Sequence, residues 1–586
     1  MPLHNADFVA AFEEIADLLE LQGETNPFRI RAYRRAARNM SGLGRDLATM
    51  IARNEDLHAV GGIGADLAAK LREIAATGTC ALLDELRHKV PAGLPEMLTL
   101  PGVGPGRARM LHETLHIDSL DALREAASAG KLHAVPGFGE RLESRILEAI
   151  DARRSKSHRF LLTDARQNLE PLLGWLNAIP ETVEAVCAGS YRRRRETVGD
   201  LDILVTSSNA AAVMRRFVLY DDIETVLARG TTRASVVLRG GLQVDLRVVA
   251  PERLGAALVY FTGSRAHNIA IRRIAQAQGM KLNEYGVYRG ERRVAGATEE
   301  SVYRSIGLAW VPPELREDRG EVEAARTGRL PELVKLGDLR GDLHAHTNAS
   351  DGRDSLRDMA LGARARGLRY LAITDHSRRL GIAHGLDAQR LARQIDEIDR
   401  LNAELDRIVL LKGVEVDILE DGRLDLPDDL LSRLDIVVAS VHSHFGLARA
   451  KQTARILRVL DHPYVSILGH PTGRLLLERE PMALDLERII ARAAERGCCL
   501  ELNSQPQRLD LDDVACRAAK QAGVLVSIAS DAHSRGALGN LEWGVAQARR
   551  AGLSKVDVLN TRPIAQLWPL LRKRIADDQD AGTIDS

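Results

Sequence analysis

Leu339-Arg340-Gly341-Asp342-Leu343-His344-Ala345-His346 reads as a short strand running out into two histidines. Side chains two residues apart on a strand share a face, so His344 and His346 point the same way. Six more apolar runs of strand length follow, at 370–375, 408–416, 435–441, 465–469, 498–503 and 524–530, separated by segments of helical periodicity. Seven strands alternating with helices predict an α/β barrel, whose site is built at the C-terminal ends of its strands.

Residues with metal-ligand chemistry fall at those ends. The first strand gives His344 and His346, with Asp351 in the loop behind them. His376 follows the second strand, Glu415 lies on the third, His442 follows the fourth and His470 the fifth, and Asp531 and His533 follow the seventh. A lone histidine is usually a core or surface residue, and His58, His88 and His112 read that way. Six histidines and three carboxylates at one end of successive strands predict a metal centre. Imidazole suits Zn²⁺, Fe or Mn²⁺ and carboxylates bridge neighbouring ions, so nine ligands fit two or three ions better than one. Such a centre suits phosphoester hydrolysis. Arg474 and Asn503 could contact a substrate phosphate, and His384 and His444 are further histidines near the site; for all four a place behind the ligands or a plain structural role fits equally well.

Upstream, residues 183–250 turn to short β-branched and aliphatic runs at 183–188, 201–206, 235–238 and 242–249, with Gly240-Gly241 marking a tight hairpin. Asp200 and Asp202 share one face of their strand, and Asp245 lies on a strand able to pair beside it. Three converging carboxylates can hold two Mg²⁺ ions about 4 Å apart, which activates a 3′-hydroxyl and stabilises departing pyrophosphate. Gly189-Ser190-Tyr191-Arg192-Arg193, a glycine turn with a hydroxyl and arginines, precedes the acidic strand and suits a triphosphate.

The stretch from Gly189 to Leu204 resembles the nucleotidyltransferase signature of the X family of DNA polymerases, similar to polymerase beta. The resemblance implies that Asp200, Asp202 and Asp245 are catalytic and that Gly189, Ser190 and Arg193 hold the triphosphate. Tyr260-Phe261-Thr262-Gly263-Ser264 is similar to the family's segment beside the incoming nucleotide. Tyr260, Phe261 and Gly263 would then flank the deoxyribose, Asn268 would reach a base edge, and Arg272 would face the template. Leu282-Asn283-Glu284-Tyr285-Gly286 fits the family's thumb.

Residues 1–150 are dominated by helical periodicity and carry one pattern three times: Gly61-Gly62-Ile63-Gly64, Pro101-Gly102-Val103-Gly104 and Pro136-Gly137-Phe138-Gly139. These look like helix-hairpin-helix elements, whose Gly62, Gly64, Gly102, Gly104, Gly137 and Gly139 would aim backbone amides at DNA phosphates. The same resemblance places Lys70 where the family's deoxyribose-phosphate lyase has its Schiff-base lysine, with Tyr33 and Arg34 at neighbouring positions. Ala65 and Asp66 depart from the family's more basic or polar residues there, which disfavours a 5′-phosphate.

The carboxy-terminal pattern resembles the polymerase-and-histidinol-phosphatase (PHP) domain through Asp342-Leu343-His344-Ala345-His346, Thr374-Asp375-His376, Gly413-Val414-Glu415, Ser440-Val441-His442, Gly469-His470-Pro471 and Ser530-Asp531-Ala532-His533. No ligand of that pattern is missing, which implies an active hydrolase.

The organisation expected is multidomain. A helical DNA-binding domain of the 8-kDa kind spans 1–90 and helix-hairpin-helix fingers 91–155. An α+β nucleotidyltransferase palm follows at 156–250 and a thumb at 251–317. A proline-punctuated, charged linker occupies 318–338, and a distorted seven-stranded α/β PHP barrel fills 339–575. The implied activity is gap-filling DNA synthesis with Mg²⁺, joined to a PHP phosphoesterase acting as 3′–5′ exonuclease, abasic-site endonuclease or 3′-phosphatase. The alternative is a DNA-end hydrolase whose polymerase part is mainly a docking platform. Gapped or nicked duplex DNA and dNTPs are the implied partners of a monomer in the bacterial cytoplasm, at the nucleoid.

Composition bounds the rest. With 586 residues, 45% hydrophobic and 28% charged, the chain has room for several cores. It has no apolar run of bilayer length. Five scattered cysteines read as reduced core residues. The first 20 residues lack the apolar stretch of a secretory leader. Formal net charge is zero, with the middle leaning basic and the part after 340 leaning acidic.

Overall fold

Phe8, Phe12, Ile15 and Leu19 recur at helical spacing along the helix Asn5–Gln22, and all four are buried. They pack against the helix Pro27–Ser41, where Tyr33 meets Phe12 edge-on at 5.5 Å. These helices open the smaller of two compact units, Met1–Arg159 and Phe160–Ser586, in a computed structural model. The structure describes residues 5–571 apart from 25, 42, 44–46, 92, 99, 101, 140–141, 148–149, 151–158 and 381–382. Pro101 of the second glycine pattern, the expected boundary near 155 and the expected barrel end at 572–575 lie outside the described residues.

In the first unit the three glycine patterns share one backbone form. Gly62, Gly102 and Gly137 have φ of +75°, +82° and +86°, the left-handed region that favours glycine. Gly64 and Gly104 then cap the helices Ala65–Thr77 and Pro105–Leu115. A Cβ added at Gly64, Gly104 or Gly139 would meet nothing within 4 Å, so the approach to these amides is open.

The second unit begins with a five-stranded sheet in the order Thr182–Cys187, Asp200–Ser207, Gln243–Val249, Arg233–Leu238, Ile223–Arg229. The two central strands are parallel, and their register sets Asp202 opposite Asp245. Ile223–Arg229 was not marked as a strand in the sequence. It is an edge strand whose side chains after Ile223 are exposed, so it lacks the apolar alternation that announces a half-buried strand. The hairpin at Gly240-Gly241 closes with Gly241 at φ +81°.

The helices Leu254–Thr262 and Arg265–Ala277, a small sheet of Lys281–Asn283, Gly286–Arg289 and Arg292–Ala295, and the helix Glu299–Ser305 form the next layer. The segment read as a linker, 318–338, carries the helix Glu321–Arg326. Its Glu321 is buried 2.6 Å from His267, and its Ala325 and Leu333 join the apolar cluster of the preceding layer.

Seven parallel strands follow in sequential order: Gly341–Asp342, Tyr370–Ile373, Val409–Asp417, Ile436–Ser440, Ile467–Leu468, Cys499–Asn503 and Val526–Ala529. A parallel bridge between Ala345 and Ala532, with His346 N donating to Ala532 O at 2.8 Å, brings the last strand back to the first and nearly closes the barrel. Leu343, Ala372, Leu411, Val438, Ile467 and Leu567 form one apolar cluster of the barrel, and helices such as Leu356–Ala365 and Leu486–Arg496 cover the sheet from outside. Strands buried on both faces read as continuous apolar runs, which is why all seven were legible.

Candidate metal centres

Barrel closure converges the strand ends. Three sets of side chains bring one ligand atom each within 4.8 Å: His346, Asp351, His376 and His533; His344, His346 and Asp531; and His376, Glu415 and His442. Glu415 is the hub. Its carboxylate lies 2.8 Å from His376 Nδ1, 2.9 Å from His470 Nε2, 3.2 Å from His442 Nε2 and 3.4 Å from His344 Nε2. Asp531 sits 3.1 Å from His346 Nε2, and Asp351 lies 3.4 Å from His533 Nε2. The cluster draws together the nine residues expected as ligands.

Several ring nitrogens there are buried with no hydrogen-bond partner: His344 Nε2, both nitrogens of His346, His376 Nδ1 and His470 Nδ1. Buried polar atoms are normally satisfied, so orphaned ring nitrogens within a cluster of candidate ligand groups fit cations. The outer nitrogens are held from behind. His344 Nδ1 donates to Glu501 at 2.6 Å and His442 Nδ1 to Asp417 at 2.5 Å, while His533 Nδ1 donates to the Asp531 carbonyl at 2.9 Å. Carboxylates and carbonyls only accept, so these bonds fix the proton on Nδ1 and leave Nε2 with its lone pair toward the centre.

The electrostatics agree. Burial alone would depress His442 and His533, but Glu415 and Asp417 around the first and Asp351 and Asp531 around the second push both up to about 10. Burial raises Asp531 and Glu415 less than the surrounding histidines lower them, so both fall well below the carboxylate range. His346 moves the other way, down to about 4, through burial and the neighbouring His533 and His376. The carboxylates demand positive charge at this point, and the donor set of imidazoles and carboxylates fits divalent ions that would supply it.

Other residues extend the site. Glu501 and Asp417 went unremarked in the sequence, although an acid inside the apolar run Cys499-Leu500-Glu501-Leu502 is a usable signal. Asn503 donates to Asp531 at 2.9 Å, which orients a ligand. Arg474 does not face the cluster. Its guanidinium pairs with Glu196 at 2.9 and 3.2 Å and also donates to the carbonyls of Arg508 and Leu509, in a buried seam that only the fold creates. His444 stands 3.9 Å from Glu420 on the exposed surface.

The second candidate centre lies on the mixed sheet. Asp202 is pushed up to about 7 by burial and then by the charges of Asp200 and Asp245. Ser235 Oγ and Gln243 Nε2, the latter at 3.0 Å, donate to Asp245 and orient it. Gly189 crosses directly over Asp202 at φ +61°, and a Cβ there would fall 2.5 Å from Asp202 Oδ2. A buried carboxylate whose proton affinity is raised by two neighbouring carboxylates suits a site for divalent cations.

The residues expected to face a nucleotide are partly engaged. Arg193 donates to Glu317 at 3.1 Å and to the Thr262 carbonyl at 2.6 Å. Arg192 forms a fork with Glu299, both bonds 2.8 Å. Ser190 is half-buried on the same turn. Tyr260 and Phe261 end the helix Leu254–Thr262 with rings 5.0 Å apart, and Arg247 lies over Phe261 at 4.5 Å. Asn268 donates to the Tyr260 carbonyl at 2.6 Å and packs against Gly263, where a Cβ would collide with it. Arg272 is exposed. In the first unit, Lys70 Nζ pairs with Asp66 at 2.5 Å one helical turn away.

Family models match the chain in order: a helix-hairpin-helix domain at 3–80, a SAM-like helix-hairpin-helix tandem at 94–152, the DNA polymerase beta palm at 166–243, the polymerase beta thumb at 257–317 and the PHP domain at 342–505. A probable phosphatase of Thermoanaerobacter sp. (strain X514) is 30% identical over 232 residues, 38% of this chain and 89% of that protein. A probable phosphatase of Caldanaerobacter subterraneus subsp. tengcongensis is 30% identical over 254 residues, 41% and 95% of the two. The DNA polymerase/3′-5′ exonuclease PolX of Bacillus subtilis (strain 168) is 36% identical over 575 residues, covering 97% of this chain and 100% of that protein. With palm, thumb, helix-hairpin-helix and PHP matches running through that full-length likeness, the chain belongs to the PolX family of X-family DNA polymerases that carry a PHP domain.

Proposed function

We propose that this protein fills short gaps in duplex DNA and trims or repairs the ends beside them. The observation that carries the reading is two separate, carboxylate-rich cation sites on one chain, one beside a triphosphate-type turn and one in a histidine-lined barrel. At the first, Asp200, Asp202 and Asp245 would hold two Mg²⁺. Gly189, Ser190 and Arg193 would receive the triphosphate of a dNTP, and Tyr260, Phe261, Gly263 and Asn268 would line its sugar and base. At the second, the nine barrel residues from His344 to His533 would hold two or three Mn²⁺, Zn²⁺ or Fe ions. Divalent ions at both places supply Lewis acidity at a phosphoryl group when bound. The protein's own part is to fix the donors, keep imidazole tautomers aimed inward and exclude competing protons.

The barrel's substrates would be a 3′-terminal nucleotide, an internal abasic site or a 3′-phosphate. The glycine turns at Gly62, Gly64, Gly102, Gly104, Gly137 and Gly139 would grip the DNA backbone without reading sequence. Lys70 would act as a lyase nucleophile only after its pair with Asp66 opens. The domain limits given above, a monomeric state and a cytoplasmic, nucleoid-associated setting belong to the same reading. Among the described residues no helix is long and apolar enough to cross a membrane.

The test uses labelled gapped, abasic and 3′-phosphate duplexes. Asp200→Ala with Asp202→Ala should abolish primer extension and leave hydrolysis intact, and His344→Ala with His346→Ala should do the reverse. If either double variant kept both activities, the corresponding assignment would be wrong. Weak incorporation by the parent protein on a one-nucleotide gap would favour the docking-platform alternative.

A further inference from the structure

Beside the barrel's metal cluster lies a cavity of about 690 Å³ that neither candidate centre uses. Its walls are the loops that leave three ligand-bearing strands. Arg379 stands three residues past His376, Leu419–Arg423 begin four residues past Glu415, and the helix Arg449–Leu460 follows the His442 loop. Three or four residues of extended chain reach no more than about 11–14 Å, so the cavity opens within a nucleotide or two of the cluster.

Its charge is one-sided. The walls carry Arg379, Arg423, Lys451, Arg455 and Arg458 against Glu420 and Asp421. Asp421 is already paired with Arg423 at 2.6 Å. Among the described residues, Arg379, Lys451, Arg455 and Arg458 form no ion pair. Arg455 is the structural centre of this wall and is only 2% exposed. It donates to the carbonyls of Leu419 at 2.7 Å, Ser443 at 3.0 Å and Ile418, tying the loop after Glu415 to the loop after His442. Its guanidinium is bonded to carbonyls, with the charges of Asp417, Glu420 and Asp421 acting on it from nearby, and the five basic side chains of the wall outnumber its two acids, so the cavity leans positive. Arg379, Lys451 and Arg458 are exposed around it.

We propose that this cavity binds the phosphate backbone of the DNA strand whose end is hydrolysed at the barrel cluster. The proposal rests on the phosphoesterase reading above and adds to it a substrate preference: the barrel should favour a polynucleotide over a small phosphoester. Backbone phosphates would lie against Arg379, Lys451 and Arg458, with Arg455 holding the two loops in register behind them.

The experiment compares the full-length protein with an Arg379→Ala, Lys451→Ala, Arg458→Ala variant, in Mn²⁺. Substrates are a labelled single-stranded oligonucleotide and the p-nitrophenyl ester of thymidine 5′-monophosphate. All three residues are exposed, so the fold should tolerate the changes. The expected result is a rise of roughly tenfold or more in KM for the oligonucleotide and a shallower dependence of that KM on salt. Turnover of the small ester and gap filling should remain within about twofold, because neither needs the cavity. An unchanged KM for the oligonucleotide, or an equal loss on both substrates, overturns the proposal. Loss of inhibition by inorganic phosphate with oligonucleotide KM unchanged would assign the cavity to free phosphate and overturn it too. If the parent protein hydrolyses neither substrate, the phosphoesterase reading itself falls and takes the proposal with it.

Discussion

At Gly189 a missing side chain lets a turn lie directly against a carboxylate. The residue combines a left-handed backbone with contact to a carboxylate, since a Cβ would fall 2.5 Å from Asp202 Oδ2. Alanine at this position must move either the turn that would hold the triphosphate or the aspartate. A displacement of an ångström in such a site costs on the order of 100-fold in rate. Gly189→Ala should therefore cut single-nucleotide gap filling roughly 100-fold while hydrolysis at the barrel stays unchanged. Near-normal gap filling in this variant would mean that the turn is not fixed by the contact.

Glu299 makes the same point through charge. Burial would raise its carboxyl, but the hydrogen bonds and charges of Arg192 and Arg316 prevail and hold it down at about 2. A depressed carboxylate stabilises the fold fully above its ordinary value near 4.5, and the contribution is lost as pH falls from there toward 2. Glu299→Gln leaves Arg316, which is fully buried, short of a counter-charge. It should destabilise the protein by about 3 kcal/mol at pH 7, and the deficit should shrink toward zero as pH approaches about 2 to 3. Trp310 donates to Glu299 at 3.1 Å, so its fluorescence during urea unfolding reports on this cluster. A deficit that stayed constant down to acid pH would assign the effect to packing instead of charge.

At the scale of elements, the barrel strands are tuned by residues that stand behind the cluster. Glu501, on the sixth barrel strand, accepts a hydrogen bond from His344 Nδ1 at 2.6 Å and another from the His470 backbone amide at 2.5 Å. Removing its charge lowers the basicity of the imidazole it orients. Glu501→Gln should weaken Mn²⁺ binding about 10- to 100-fold, read by equilibrium dialysis and by the Mn²⁺ dependence of hydrolysis, with gap filling unaffected. Unaltered Mn²⁺ affinity would remove Glu501 from this role. The sequence displays such elements unevenly, for physical reasons. The barrel strands stand out because burial on both faces enforces unbroken apolar runs, and the nine polar residues stand out because they interrupt those runs at the same end. Ile223–Arg229 is silent because an edge strand facing water needs no pattern. Arg474 left two readings open for a different reason: its loop beside the cluster allows a phosphate contact or a structural role, while its partner Glu196 lies far away in the chain, where no local pattern can indicate it.

At the scale of the second unit, the sheet that carries Asp200 and the barrel share one interior. Leu509 and Trp543 of the barrel belong to the apolar core beneath the mixed sheet. Arg166 reaches Glu542 at 2.6 Å, and Arg474 reaches Glu196. The helix Leu541–Arg550 goes furthest, because it touches the turn read as the triphosphate site. Gln547 Nε2 donates to the Arg194 carbonyl at 2.8 Å. Arg550, buried, donates to the Arg193 carbonyl at 2.7 Å and to Glu317 at 3.1 Å, and is itself anchored by Asp513 at 2.7 Å. Glu317 in turn holds the Arg193 guanidinium, so a residue of the barrel grips both the backbone and the side-chain partner of Arg193. The metal cluster lies at the strand ends and none of its nine residues contacts Arg550 among the described bonds. Arg550→Met keeps the length of the side chain and deletes its charge and its donors. Hydrogen bonds to charged groups contribute about 1.5–3 kcal/mol, so dNTP affinity in gap filling should fall about tenfold or more. Hydrolysis of a p-nitrophenyl nucleotide ester should be retained, and Arg550→Lys, which restores the charge but not the fork, should recover only part of the loss. A variant that lost both activities in parallel with its thermal midpoint would show that Arg550 merely holds the unit together, and unchanged dNTP affinity would show that the barrel does not support the nucleotide turn.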